Sequence, residues 1–469
     1  MRSESAQPAA QCAEAPAWPA IAPYAPARPA FHTQSGPVSQ GTVLARAESL
    51  ARHLEAALPA GAQIANYCEC RVAFTVALLG SWLAGRSVVL PPDRTDHNLR
   101  LLTRPFDPLV VLAETGCTMD LPDPVRVDAF QAQGAPPAEV PHLPGDLLAA
   151  RVFTSGSTGT PEMNDKTFAM LAAGGKTIPA MLTLDRLDRA NVVATVPSQH
   201  MYGFETTALY ALQGGAAAHA GRPMYAADVA QALTQVPAPR VLVTTPTHLR
   251  ALIESDVRLP ALDHAISATA PLGAELARAA EDRLGAPVRE IYGFTEAGSV
   301  AGRRTLDGDV WQMRGDYVAR TVPGPDGEQA LVHCPALAQD VPFPDLVEVL
   351  DGNRIRLKGR AQDLVNVAGK RASLNGLAAQ LMEIEGVQDA VFVQPGTDSG
   401  AGRVARLLAF AVAPGWDREA LRARLQQRLD PAFVPRRLVL VDRLPRNATG
   451  KLLRQDLEQL IASHTGRPA

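Results

Sequence analysis

One stretch limits what this chain can fold into: Val152-Phe153-Thr154-Ser155-Gly156-Ser157-Thr158-Gly159-Thr160-Pro161. An apolar run from Leu147 to Phe153 reads as a strand and empties into a turn built only of Gly, Ser and Thr. Glycine lets such a turn curl without a Cβ in the way, so backbone N–H groups and hydroxyls can converge on an anion. No Gly-Lys-Ser/Thr follows, which excludes the Walker phosphate loop. By itself a Ser/Gly/Thr run is more often a plain loop than a phosphate cradle. What the turn does depends on its surroundings.

Those surroundings alternate strand with helix. The pattern predicts a helix beginning at Thr42, with Leu44, Ala47, Leu50, Leu54 and Leu58 on one face, and a second from Arg71 to Gly85. Strands are expected near Ile64, at 87–90 and at 109–112. Beyond the turn they are expected at 191–196, 216–220, 241–244, 264–269 and 288–291, with helices at 226–236 and 274–284 between them. Such alternation implies an α/β fold: a large N-terminal domain of mostly parallel sheets covered by helices. Ligands of such sheets sit at the carboxyl ends of strands. From Leu346 a hairpin through Asp351-Gly352 closes this part, and a small α+β C-terminal domain follows Gly359-Arg360. The expected division is a disordered Pro/Ala-rich tail over 1–25, an N-terminal domain over 26–359 and a C-terminal domain over 360–469.

Composition excludes several classes. With 46% hydrophobic residues, 20% charged and a net charge of −3, nothing points to nucleic acid or to an acidic membrane surface. The charge is uneven: residues 360–469 hold 16 Lys/Arg against 11 Asp/Glu, a balance of +5 that leaves −8 for the rest. A basic unit suits an anionic ligand or an acidic partner protein. Cys12, Cys68, Cys70, Cys117 and Cys334 form no disulfide framework, and Cys68-x-Cys70 lacks a second pair at zinc spacing. The longest apolar run, Val72 to Ala84, is too short to span a bilayer, and no apolar signal core opens the chain. A cytoplasmic location is the expectation.

Downstream of the turn stand Pro197-Ser-Gln-His200-Met-Tyr-Gly203, Tyr292-Gly293-Phe294-Thr295-Glu296, Phe343-Pro344-Asp345, Gly359-Arg360-Ala-Gln362-Asp363 with Gly369-Lys370-Arg371, and Pro445-Arg-Asn-Ala-Thr449-Gly450-Lys451. This ordered set resembles the adenylate-forming superfamily of acyl-CoA synthetases, peptide-synthetase adenylation domains and luciferases. The chemistry that the resemblance implies can be stated by itself. A carboxylate is a poor acyl donor, because its leaving group would be oxide. Attack on the α-phosphate of ATP makes acyl-AMP, a mixed anhydride, with pyrophosphate leaving. Anions are thereby brought together, so cations, N–H dipoles and alignment are needed.

The resemblance assigns Thr154, Ser155, Gly156, Ser157, Thr158 and Gly159 to the β- and γ-phosphates. Tyr292, beside Gly293, would stack on adenine next to the loop Ser267-Ala-Thr-Ala270-Pro271. Thr295 would bond the α-phosphate and Glu296 would hold Mg²⁺, a hard cation that takes oxygen ligands. Asp345 would accept the ribose hydroxyls and Arg360 would contact ribose or phosphate. Lys451, on a loop able to close, would bridge carboxylate and α-phosphate. His200 would lie near the acyl carboxylate and the thiol path. Gln362 would be the hinge on which a mobile C-terminal domain swings. Taken singly these residues have plainer readings: a core tyrosine, a helix cap with a surface acid, a turn aspartate, and solvated arginine and lysine.

Two positions depart from the family pattern. Glu162 stands where a lysine is usual after the phosphate turn, so it should point away or be offset by Lys166. Gln362 replaces the usual Asp or Lys of the hinge. The acyl pocket implied between His200, Thr244–His248 and Ala268–Gly273 has no Asp placed for an amino-acid ammonium, so an uncharged aromatic or fatty acid is expected. The stretches Ala65-Asn66-Tyr67, Pro91-Pro92-Asp93-Arg94 and Ser267–Leu272 are similar to ligases of aryl-polyene and xanthomonadin-type clusters. That similarity implies a hydroxybenzoate- or cinnamate-like acid passed to an acyl carrier protein, with coenzyme A as the other thiol acceptor. The rival reading is a non-catalytic nucleotide-binding regulator on the same fold, for which Glu162 is the support. A dinucleotide oxidoreductase is disfavoured, since no Gly-x-Gly-x-x-Gly opens a helix after an early strand.

Overall fold

The computed structural model describes residues 16–59, 62–91, 106, 108–154, 162–184, 189–324, 327–337, 339–360, 364–367, 370–394, 407–446, 452 and 454–465. Two sheets dominate it. The first orders its strands Glu162–Thr167, Leu148–Thr154, Val88–Leu90, Gln63–Asn66, Leu109–Ala113, Val125–Arg126, parallel except for the antiparallel pair at the Glu162 edge. Two of its middle strands, Val88–Leu90 and Leu109–Ala113, are apolar throughout because both faces are covered, and between them Gln63–Asn66 buries Ile64 and Ala65. One cover is the helix Arg71–Leu83, buried along almost its whole length. It packs on the helix Gln40–Ala57, which starts where the Ser39 hydroxyl accepts from the Thr42 N–H at 3.1 Å. Leu44, Ala47, Leu50 and Leu54 form that helix's buried stripe. Each leucine contributes roughly 2 kcal/mol by leaving water.

In the second sheet Pro29–Thr33, Ala217–His219, Asn191–Ala194, Arg240–Thr244, His264–Ser267 and Val288–Phe294 run parallel in that spatial order. Both flanks are antiparallel: Gly36–Ser39 on one side, and Gly298–Arg304, Val310–Met313, Arg354–Arg360 and Asp345–Asp351 on the other. The expectation of mostly parallel sheets therefore holds for the centre and gives way at the flanks. The reason is connection length. Only Thr295, Glu296 and Ala297 link Val288–Phe294 to Gly298–Arg304, and a parallel crossover needs a dozen or more residues. The Thr295-Glu296 pair is thus the tip of a hairpin.

Residues 16–25, expected as tail, are ordered into the body of the protein. Ala17–Pro19 pairs antiparallel with His142–Pro144, Ala20 and Ile21 are buried, and the Ala22 N–H donates to the Leu212 carbonyl at 2.7 Å. Trp18 and Ile21 supply the apolar anchor that the Pro/Ala average conceals. The C-terminal sheet, Asp389–Val393, Leu408–Val412 and Arg437–Leu440, separates two small cores by side-chain alternation. Phe392, Ala409 and Ala411 face Leu377, Leu381, Leu421 and Leu425, while Val393, Leu408 and Phe410 face Leu444 and Ile461. No helix among the described residues is long and apolar enough to cross a membrane.

Candidate functional site

The hairpin tip that carries Thr295 and Glu296 is clamped from beneath at three points. The Lys166 amine donates to the Glu296 carbonyl at 2.7 Å, and the Tyr317 hydroxyl donates to the Ala297 carbonyl at 3.0 Å. The Glu205 carboxylate accepts from the Ser299 N–H at 3.0 Å and from the Ser299 hydroxyl at 2.5 Å. Gly298 sits between these points at φ +76°, and a Cβ there would lie 2.8 Å from Glu205 Oε1. Conformation and space both call for glycine.

Beneath the clamp lie buried charges. Arg314 pairs with Glu205 at 3.3 Å, their side chains 0% and 4% exposed, and the Arg314 guanidinium covers the Tyr317 ring at 4.3 Å. Lys166 is 2% exposed. Burial pulls its amine down to about 8, against the opposing charges of Glu296, Glu205 and Asp165. The Glu296 side chain itself is exposed. A fixed backbone thus presents one outward carboxylate, the kind of oxygen donor that a hard divalent cation takes.

Beside the tip, the strand Val288–Phe294 places Tyr292 in an aromatic group. Its ring lies 12° from parallel to Phe343 at 6.3 Å and meets Trp311 edgewise at 5.9 Å. The Tyr292 hydroxyl donates to Asp345 Oδ2 at 2.6 Å across 53 residues of sequence. Antiparallel register sets Arg360 opposite Asp345. The loop after His264–Ser267 holds Thr269 at φ +78°, a β-branched residue in the left-handed region. Its far side is braced by Glu290, which accepts from the Leu272 N–H at 3.1 Å, from Thr305 Oγ1 at 2.6 Å and from Arg303 at 2.6 Å. Arg303 in turn covers Trp311 at 4.4 Å.

His200 is half-buried and precedes the short helix Met201–Gly203, which runs into the π-helical turn Phe204–Leu209 that delivers Glu205. A Cβ on Gly203 would lie 2.1 Å from the Pro197 carbonyl, so glycine is what lets the Pro197–Gly203 loop fold on itself. The Tyr202 hydroxyl donates towards the Thr244 and Ile266 carbonyls, each at 3.0 Å, and burial raises it far above its ordinary range. It closes the gap between two strand ends in the region expected to line the acyl pocket. His248, bonded through Nδ1 to Thr245 Oγ1 at 2.9 Å, is lowered by burial.

The structure therefore joins Tyr292 to Asp345 by a hydrogen bond and carries Gly293, Thr295 and Glu296 on the same strand and its hairpin tip, with the Arg360 backbone beside Asp345. Ala270 is half-buried and Pro271 exposed on the strained loop. Ser155, Gly156, Ser157, Thr158, Gly159, Gln362 and Lys451 lie outside the described residues, and Thr154 is placed by its backbone, opposite Glu162. Lys166 does not serve Glu162, as the sequence reading allowed. Its amine is taken by the hairpin tip, and Glu162 is exposed. Sequence reasoning missed Glu205, Arg314 and Tyr317. An acid inside the apolar run Phe204–Leu212 is the one signal that could have flagged Glu205.

Comparisons with known proteins follow the same lines. A sequence profile described as AMP-binding enzyme matches residues 20–326, and one described as AMP-binding enzyme C-terminal domain matches residues 377–451. The chain is 29% identical to chondramide synthase of Chondromyces crocatus, over 92% of this chain and 13% of that one. It is 27% identical to a 4-coumarate–CoA ligase of Cereibacter sphaeroides, over 64% of this chain and 69% of that one. An anthranilate CoA ligase solved with anthranoyl-AMP superposes at a TM-score of 0.79 with 16% identity, covering 95% of this chain and 97% of that one, a likeness of fold.

Proposed function

The chain belongs to the AMP-binding enzyme family, and from that premise we propose that it activates a carboxylic acid with ATP and passes the acyl group to a thiol. The observation that carries the reading is the pairing of the Tyr292 hydroxyl with the Asp345 carboxylate at 2.6 Å, beside a rigid hairpin tip that presents Glu296 outward. An aromatic face, a carboxylate for ribose hydroxyls and an oxygen donor for a cation are the parts that a nucleoside triphosphate needs.

In the proposed first step a carboxylate oxygen attacks the α-phosphorus of ATP, forming the new O–P bond as the bond to pyrophosphate breaks. Tyr292, with Gly293, Ala270 and Pro271, holds adenine, and Asp345 and Arg360 hold ribose. Thr154 to Gly159 wrap the outer phosphates, and Thr295 bonds the α-phosphate. Magnesium, which Glu296 would hold, supplies charge neutralisation when bound. Lys451 stabilises the charge that builds as carboxylate and α-phosphate meet, and His200 stands by the acyl carboxylate. In the second step the thiol sulfur attacks the acyl carbon and AMP leaves. This division assigns 26–359 to nucleotide and acid, and 360–469 to a lid that turns about Gln362.

The proposed acid is aromatic, of hydroxybenzoate or cinnamate type. The segments Thr244–His248 and Ala268–Gly273 offer small and mid-sized residues, and one relative bears a coumarate name. The proposed acceptor is the phosphopantetheine thiol of an acyl carrier protein, supported by the +5 balance of residues 360–469. Coenzyme A is the second reading, favoured by the CoA-ligase name of the other relative.

ATP–pyrophosphate exchange across a panel of aryl and fatty acids tests the first step. Exchange is expected with an aryl acid, and Lys451→Ala is expected to lower it by about 10²- to 10³-fold, as for a single group that stabilises transition-state charge. ATP binding without exchange for any acid in the folded protein would leave the regulator reading standing. Preformed acyl-AMP offered to holo-carrier protein and to coenzyme A decides the acceptor. Strong preference for coenzyme A removes the carrier.

A further inference from the structure

We propose that Lys166 is a positioning residue: its buried amine ties the Thr295-Glu296 tip to the strands that bear the Gly/Ser/Thr loop, so that cation and triphosphate meet in register. The inference rests on the reading of these two loops given above. Its own support is geometric. The strands Leu148–Thr154 and Glu162–Thr167 pair antiparallel with Thr154 opposite Glu162, a hairpin whose strands flank the Gly/Ser/Thr stretch of the sequence. Thr295-Glu296 is the end of another, between Val288–Phe294 and Gly298–Arg304. The bond from Lys166 Nζ to the Glu296 carbonyl, 2.7 Å long and spanning 130 residues of sequence, cross-links the two hairpins.

Its charge is arranged for that place. An ammonium that is 2% exposed is costly unless opposing charge and hydrogen bonds compensate it. Glu296, Glu205 and Asp165 supply opposing charge close enough to favour it. Asp165 is engaged by Arg151 at 3.3 Å, and Glu205 by Arg314 and Ser299. Those engagements leave the amine directed at the carbonyl of the very residue whose carboxylate faces outward. A lysine that only filled space could be replaced by an unbranched apolar side chain of like length without consequence for the tip. A lysine that sets the tip could not.

The test is the Mg²⁺ dependence of mant-ATP binding by the full-length protein, followed by fluorescence, with exchange activity measured alongside. Lys166→Met is expected to raise the half-saturating Mg²⁺ by about tenfold, the size seen when a partner behind a metal ligand is lost. Lys166→Arg, which still reaches a carbonyl with a charged donor, is expected to restore most of it. A folded Met variant with the wild-type Mg²⁺ response overturns the proposal. If the Met variant does not fold, Lys166→Gln retains a donor of shorter reach: a raised half-saturating Mg²⁺ in this variant supports the proposal. An unchanged response, or failure of this variant also to fold, assigns Lys166 to the core alone. Wild-type protein that binds mant-ATP with Mg²⁺ yet exchanges pyrophosphate with no acid sinks the functional reading while leaving this titration decisive. Wild-type protein that binds no mant-ATP sinks both.

Discussion

At the scale of single residues, the site depends on charges removed from water. Glu205 and Arg314 are the sharpest case, with side chains 4% and 0% exposed and a separation of 3.3 Å. Removing one partner leaves the other as an uncompensated buried ion, whereas replacing both with apolar groups does not. Glu205→Ala is therefore expected to cost about 3–5 kcal/mol, read as a fall in the midpoint of denaturant unfolding. The double change Glu205→Leu with Arg314→Met is expected to recover much of that loss. If the single variant unfolds at the wild-type midpoint, the clamp described under the hairpin tip does not exist. Little of this was legible in the sequence. Tyr292, Asp345 and Glu296 stand in short recognisable strings, but Arg314 sits in an unremarkable loop. What makes it important is a carboxylate 109 residues away.

At the scale of elements, capping and periodicity read well and hairpins read poorly. The helix expected over 274–284 is observed as Ala274–Leu284, because Gly285, at φ +64°, can adopt the left-handed conformation that ends it. The flanking strands Gly298–Arg304 and Val310–Met313 escape the sequence pattern: glycines and charges interrupt the alternation of the first, and the second is only 4 residues long. Nor does any pattern announce a π-helical turn at Phe204–Leu209. Yet these elements hold the hairpin tip in place. Gly298→Ala tests the hairpin as a unit. A methyl at φ +76° costs about 1–2 kcal/mol of backbone strain, and it would also stand 2.8 Å from Glu205 Oε1. Lower thermal stability and weaker nucleotide binding should appear together. Loss of stability with wild-type binding would mean that the tip does not depend on this turn.

At the scale of the whole molecule, three histidines, two on strands of the second sheet and one on the helix Pro246–Ile253, couple stability to pH. His32, His248 and His264 are each lowered, by burial first of all. His32 is held through Nε2 to Asn191 Oδ1 at 2.8 Å, and the Nδ1 atom of His264 has no partner among the described residues. A lowered folded-state pKa means that the unfolded chain binds the proton better. Their contribution is complete above the ordinary histidine range and is lost as pH falls through it towards the folded values. The unfolding midpoint should therefore drop between about pH 7 and pH 5, before most carboxylates titrate. His32→Gln should flatten that drop, and an unchanged profile in the variant would remove His32 from the account. Composition, periodicity and the order of the motifs determined the α/β architecture, the smaller C-terminal unit and the strings proposed to face a nucleotide, because each is written in neighbouring residues. Tertiary structure alone decided that the tail residues 16–25 join the body and that Lys166 serves Glu296 and not Glu162. Which distant carbonyl a buried amine reaches depends on how whole sheets stack, and no local stretch of chain carries that information.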